Sequence, residues 1–278
     1  MPVRIVTDSG CDLSLTAAEE HRIEVVPLSI RFGDTEYTDR TGLTPPEFYA
    51  LMESHDELPE TAAPAPGQFV EAFKKMAAEG ADEVVCINLS AALSATGQSA
   101  RNAAEAVKED ITVHCVDSKS LTVGLGTLTV LAARDAAEGL DGAAIVANTE
   151  ERSKNTRVFG ALDTLENLKK GGRIGGAQAL LGNMLSIKPC LDLSSGEVEE
   201  AGKQRTRKKA LGWLRQQVAD AGEISELVVG HAQASDLDPF LAQLQELPNV
   251  GDIRVETIGP VVGTHGGPAL VGVSWIQG

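Results

Sequence analysis

The chain has 278 residues, 42% of them hydrophobic, and a formal net charge of −16. That length exceeds what one core usually serves, so two domains are expected, and the acidic balance excludes a nucleic-acid partner because phosphate neutralisation needs a basic face. No apolar run reaches the ~18 residues of a membrane span, and the first residues enter a strand pattern, so no integral membrane segment and a cytoplasmic location are expected.

Residues 3–7 read as a short buried strand ending in Asp8-Ser9-Gly10-Cys11-Asp12. Thr16 with Glu19 reads as a capping box opening a short helix. A second strand is expected over 23–30, and Gly33-Asp34 as a hairpin turn into a strand at 35–37. Thr44-Pro45-Pro46-Glu47 is a helix start, with proline in the first turn. A proline-rich loop at 56–67 leads to helix 68–79, strand 83–88, a Ser/Ala/Thr loop, helix 97–109 and strand 111–116. Such alternation predicts a parallel sheet covered on both faces, with ligands at the carboxyl ends of its strands. Three polar loops fall on that rim: 8–12, 89–96 and 117–120.

Helical patterns at 121–138 and 141–155 precede a strand at 157–162. The domain boundary is placed there, giving an N-terminal α/β domain over 1–156 and a C-terminal domain over 157–278. The second half reads as strand 187–193, strand 197–201, helix 206–221, strand 226–231, helix 236–246, strand 252–258 and strand 269–276. Its elements do not alternate strictly, so a mixed α/β domain with some antiparallel pairing is expected.

Between 163 and 176 a helix pattern opens with Asp163 as N-cap and Glu166 as its reciprocal partner, and stops at Gly171-Gly172. Arg173 is then held between two glycine pairs. Alone, this is a helix C-cap with a solvated arginine; glycine also lets backbone approach a ligand, and guanidinium suits a carboxylate or phosphate. Gly263-Thr264-His265-Gly266-Gly267-Pro268 reads as a second rigid loop, whose imidazole serves either the loop or an anionic head group. The densest positive run holds Lys203, Arg205, Arg207, Lys208 and Lys209, either a solvated helix start or a docking patch for an acidic partner.

No P-loop and no dinucleotide fingerprint is present. Ser94 and His265 supply two roles of a hydrolase triad, but Leu93-Ser94-Ala95-Thr96 is not a nucleophile elbow. The four cysteines are widely separated, three of them in apolar strand-like runs as small core residues, and the five histidines lack metal spacing, so no metal site is expected.

In order along the chain, these motifs resemble the DegV family. Val6-Thr7-Asp8-Ser9 with Asp12 resembles its opening Thr-Asp-Ser-x-x-Asp-Leu, followed by Pro27-Leu28 and the turn through Gly33, Tyr37 and Asp39. Thr61-Ala62-Ala63-Pro64-Ala65-Pro66-Gly67 resembles Thr-Ser-x-Pro-Ser-Pro-Gly, with alanine for both serines. Residues 93–100 resemble Leu-Ser-Gly-Thr-x-Gln-Ser-Ala, with Ala95 in place of glycine. Asp117-Ser118, the stretch 168–174, Asn183 through Lys188-Pro189, the run 203–209 and His265-x-Gly267-Pro268 complete the series.

The resemblance implies a two-domain DegV-like (EDD) fold and a lipid-binding, non-catalytic protein with no cofactor. It would hold a long-chain fatty acid in a tunnel, with the carboxylate at the domain interface. Thr61 and Ser94 would bind the carboxylate, and Arg173, His265 and Thr96 would form the surrounding polar network. The run 203–209 would face a dihydroxyacetone-kinase-like fatty-acid kinase that makes acyl-phosphate for phospholipid metabolism. Ala62 and Ala95 put the head-group geometry in question. A hydrolase or phosphotransferase using Ser94, His265 and Arg173 on a small anion is the rival reading, and a regulatory protein sensing the acyl group is a third. Burying about sixteen carbons at ~0.8 kcal/mol per methylene outweighs the ~1.5–3 kcal/mol of a charged hydrogen bond, so the lining should set affinity and the polar groups orientation.

Overall fold

A computed structural model describes residues 2–55 and 57–278, the side chains of 181–186 excepted, so the side chain of Asn183 in the motif series lies outside the described residues. In chain order the elements are β1 (Val3–Asp8), α1 (Leu15–Glu20), β2 (Ile23–Val26), β3 (Ser29–Phe32), β4 (Thr35–Thr38), α2 (Pro45–Ser54) and β5 (Glu60–Ala62). Then come α3 (Pro66–Ala78), β6 (Glu83–Asn88), α4 (Thr96–Ala106), β7 (Thr112–Asp117), α5 (Thr122–Ala137), α6 (Gly142–Asn155) and β8 (Thr156–Ala161). The remainder is α7 (Glu166–Lys170), a 3₁₀ segment (Gly175–Ser186), β9 (Lys188–Asp192), β10 (Glu199–Gln204), α8 (Arg207–Asp220), β11 (Ile224–His231), α9 (Leu237–Gln245), β12 (Arg254–Thr257), α10 (Pro260–Gly266) and β13 (Val271–Gln277).

The expected parallel sheet is present, in the order β2-β1-β6-β7. Successive residues of its strands face opposite sides, and both sides are apolar. Ile5, Val85 and Ile87 pack toward α5 and α6, while Val6, Val84 and Cys86 pack toward α3 and α4. From Thr156 onward every strand belongs to a six-stranded mixed sheet, β10-β9-β8-β13-β11-β12, in which only β11 and β12 pair parallel. Phe159, Val229, Val271 and Val273 on one face of it pack against α8 and α9. The other face looks toward α5, a helix buried nearly all round because it is wedged between the two sheets.

Five local expectations need correction. The first helix is capped by Ser14, whose hydroxyl accepts from Ala17 N–H, not by Thr16. The strand expected over 23–30 is two strands, broken at Pro27-Leu28; Pro27 lacks the N–H a ladder needs, and β3 leaves for a three-stranded antiparallel sheet, β4-β3-β5. The loop at 56–67 contains β5, three residues too short to carry a pattern, and α3 begins within it at Pro66. Asp163 caps nothing: α7 starts at Glu166, whose N–H donates to the Thr164 hydroxyl, while Asp163 pairs with Lys188 at 3.1 Å. Finally, 260–266 is a helix with proline in its first turn, not a loop, because Gly263 and Gly266 serve close packing there instead of a turn.

Candidate functional site

A cavity of about 220 Å³ lies between the second sheet and the rim of the first. One water needs only about 10–15 Å³ measured the same way, so the space is ligand-sized. Its walls come from both halves: Leu89 and Leu93 from the loop after β6, Leu121 and Val123 at the start of α5, and Val261 and Val262 from α10. Its floor is the mixed sheet, and there the side chains vanish in one row. Gly160 of β8 pairs with Gly272 of β13, which pairs with Gly230 of β11, and all three line the cavity. A Cβ at Gly160 would meet nothing nearer than 3.5 Å, so packing does not require glycine at that position. Its effect is to leave space.

Sequence reasoning did not single out this row. The available signal was a glycine inside each of three strand patterns, a common mark of close approach by a ligand or another chain. Nothing in one dimension says that the three share a register.

The polar residues of the cavity are few. Thr61, on β5, faces His265 of α10, with Oγ1 and Nε2 3.1 Å apart. Ser94 Oγ accepts from Thr96 N–H at 3.3 Å and lies 2.9 Å from Thr96 Oγ1, and Thr96 is fully buried at the start of α4. Each of these two cavity-lining hydroxyls thus has a neighbour able to donate to it. When His265 Nε2–H and the Thr96 hydroxyl donate, the protons of Thr61 and Ser94 are free for an acceptor. A carboxylate accepts only, so the pair suits one.

Burial, and secondarily the positive Arg173, lowers the His265 pKa from 6.5 to about 4, which leaves the ring neutral at pH 7. Gly171 is glycine for the sake of this ring, because a Cβ there would penetrate the imidazole. Arg173 is exposed and donates from Nη1 to Gly171 O at 2.8 Å and from Nε to Leu93 O at 3.3 Å. It therefore ties the turn that abuts His265 to the loop that carries Ser94. Ala62 and Ala95, the positions where hydroxyl and glycine were expected, both border the cavity.

Ser94 bonds to Thr96 and His265 to Thr61, so the serine–histidine pairing a hydrolase needs is not formed. Of the three rim loops, 89–96 lines the cavity, through Leu89, Leu93, Ser94 and Ala95; the others brace it. Asp8 accepts from Leu89 N–H and Asn88 Nδ2, and Ser90 N–H donates to Ser120 O. Among the described residues no group of three His, Cys, Asp or Glu is placed to hold a metal ion. No described helix is long and apolar enough to cross a membrane.

The basic run is divided by the fold. Arg207 donates from Nε and Nη2 to Asp236, both at 2.9 Å, and is half-buried, whereas Lys203, Arg205, Lys208 and Lys209 are exposed.

Comparison with known proteins agrees with this architecture. A DegV domain-containing protein of Streptomyces coelicolor is 35% identical over 275 residues, 98% of this chain and 97% of that protein. A solved DegV family protein from Thermus thermophilus, described for its fatty-acid binding, superposes with a TM-score of 0.88 at 33% identity, covering all of both chains. A stearic-acid-binding protein from Eubacterium ventriosum superposes at 0.89 with 28% identity, over 99% of this chain and 98% of that one. The model of the DegV family, described as uncharacterised proteins, matches residues 2–278, and the chain belongs to that family.

Proposed function

We propose that this protein holds a long-chain fatty acid with its tail in the apolar cavity and its carboxylate on Thr61 and Ser94. The observation that carries the reading is the pairing of an apolar, ligand-sized cavity with two hydroxyls that each have a neighbour able to donate to them. The fatty-acid binding described for the Thermus protein and the stearic-acid binding of the Eubacterium protein support it. Arg173, His265 and Thr96 orient the two hydroxyls from behind. The site sits between an N-terminal domain, 1–156, and a C-terminal domain, 157–278.

On this reading the protein has no turnover of its own and no cofactor. It presents the carboxylate, ionised and hydrogen-bonded, to a cytoplasmic dihydroxyacetone-kinase-like fatty-acid kinase and keeps the acyl-phosphate for phospholipid synthesis. Lys203, Arg205, Lys208 and Lys209 are the docking residues; Arg207 is left out because its guanidinium is already paired with Asp236. Native mass spectrometry of gently purified protein tests the binding step. A bound species of fatty-acid mass is expected, and protein that is empty and refuses added palmitic acid would overturn the reading. Turnover of a small anionic substrate by this chain alone, lost in Ser94→Ala, would instead favour the hydrolase or phosphotransferase alternative.

A further inference from the structure

The acidic loop after β1 supplies no side chain to the cavity, yet one of its carboxylates grips three separate segments. Asp12, 1% exposed, accepts at Oδ1 from Gly259 N–H at 2.8 Å and from Arg40 Nη1 at 3.0 Å. Its Oδ2 accepts from the Thr122 hydroxyl at 2.6 Å. Gly259 is the residue before α10, and Thr122 is the first residue of α5. Both helices line the cavity, through Leu121, Thr122 and Val123 at the start of α5 and through Val261, Val262 and His265 of α10.

The surroundings are built to this contact. A Cβ on Gly259 would lie 2.8 Å from Asp12 Oδ1 and 2.9 Å from Arg40 Nη1, so only glycine lets the N–H reach the carboxylate. Thr122 has φ 46°, a left-handed conformation that β-branched residues rarely adopt and that persists only where neighbours over-determine it. The Arg40 guanidinium, itself largely buried, supplies the countercharge without which a buried carboxylate is unstable.

We propose that Asp12 is a positioning residue for the cavity, a latch that ties the first turn of α5 to the first turn of α10 and so sets how readily the walls part for a ligand. The consequence for ligand release rests on the fatty-acid reading, whereas the latch itself is a property of the protein without ligand.

Amide hydrogen exchange on ligand-free protein tests it. In Asp12→Asn one acceptor becomes an amino group facing donors, and Arg40 loses its countercharge. Exchange across 259–266 and 122–126 should rise at least tenfold, with α3 and α4 unchanged, and palmitic acid should both enter and leave faster. Thr122→Val removes the hydroxyl from a residue of the same shape and should give a smaller rise in the same two segments. Thr122→Ser keeps the hydroxyl and should restore wild-type exchange, so this pair carries the test where Asp12→Asn fails to fold. Wild-type exchange in both segments of Thr122→Val, or a rise spread evenly over the molecule, overturns the latch. A local rise in protein that takes up no palmitic acid upholds the latch and sinks the fatty-acid reading instead.

Discussion

His265 Nε2 stands 3.1 Å from the Thr61 hydroxyl although 204 positions separate them in the chain. The contact joins β5, from the small antiparallel sheet, to α10, from the second half, at the wall of the cavity.

If the proposed carboxylate site is right, loss of either hydroxyl, Thr61 or Ser94, should weaken fatty-acid binding without emptying the cavity. Thr61→Val and Ser94→Ala each remove one hydrogen bond to a charged acceptor, about 1.5–3 kcal/mol, or roughly ten- to hundredfold in Kd. Displacement of a fluorescent fatty acid measures this. A simple long-chain alcohol, which has no carboxylate, should lose much less.

Binding should take up protons in mild acid. The neutral imidazole of His265, with its pKa at about 4, is brought near an anion that favours the charged ring, so its pKa rises on binding. Titration calorimetry at pH 5.5 in buffers of different ionisation enthalpy should register proton uptake, and His265→Gln should abolish it.

Asp39 should make stability fall as pH rises. It is 1% exposed, neither of its oxygens has a partner of hydrogen-bond geometry among the described residues, and burial raises its pKa from 3.8 to about 7. A carboxyl with a raised folded pKa contributes stability that is full below about 4 and is lost as pH passes through about 7. Asp39→Asn imitates the protonated form. Its urea midpoint should exceed that of the wild type at pH 8, and the advantage should be smaller at pH 5 and vanish below about pH 4.

The glycine row should govern how much tail fits. Gly160→Ala places a methyl group at ordinary contact distance, 3.5 Å from Leu162, so the fold should tolerate it. Gly160→Val should reduce affinity for eighteen-carbon acids by at least tenfold while sparing twelve-carbon ones. A uniform loss across chain lengths would mean that the row does not bound the tail.

Charge reversal at Lys203, Arg205, Lys208 and Lys209 should abolish coupling to the kinase and leave fatty-acid affinity intact. Arg207→Met should instead cost up to about 1 kcal/mol of stability by unpairing the partly exposed Asp236, while the docking face survives. Kinase assays with denaturant titrations on both variants separate the two.

What lies along the chain was legible in it, because the forces concerned are local or periodic. Buried strands at 83–88 and 226–231, the proline-marked start of α2 and the parallel first sheet follow from hydrophobic period and capping chemistry that act over a few residues. The ordered motifs also picked out Thr61, Ser94 and His265 before any of them had a partner. Whether Asp163 caps α7 was settled by Lys188, 25 positions away, and Arg207 was taken from the docking run by Asp236. The Gly160–Gly272–Gly230 row exists only through strand register, and the Asp12 contacts to Thr122 and Gly259 span 110 and 247 positions. Charge pairing, register and shared burial depend on which segments meet, and that is decided by the packing of the two sheets around α5, not by any stretch of sequence.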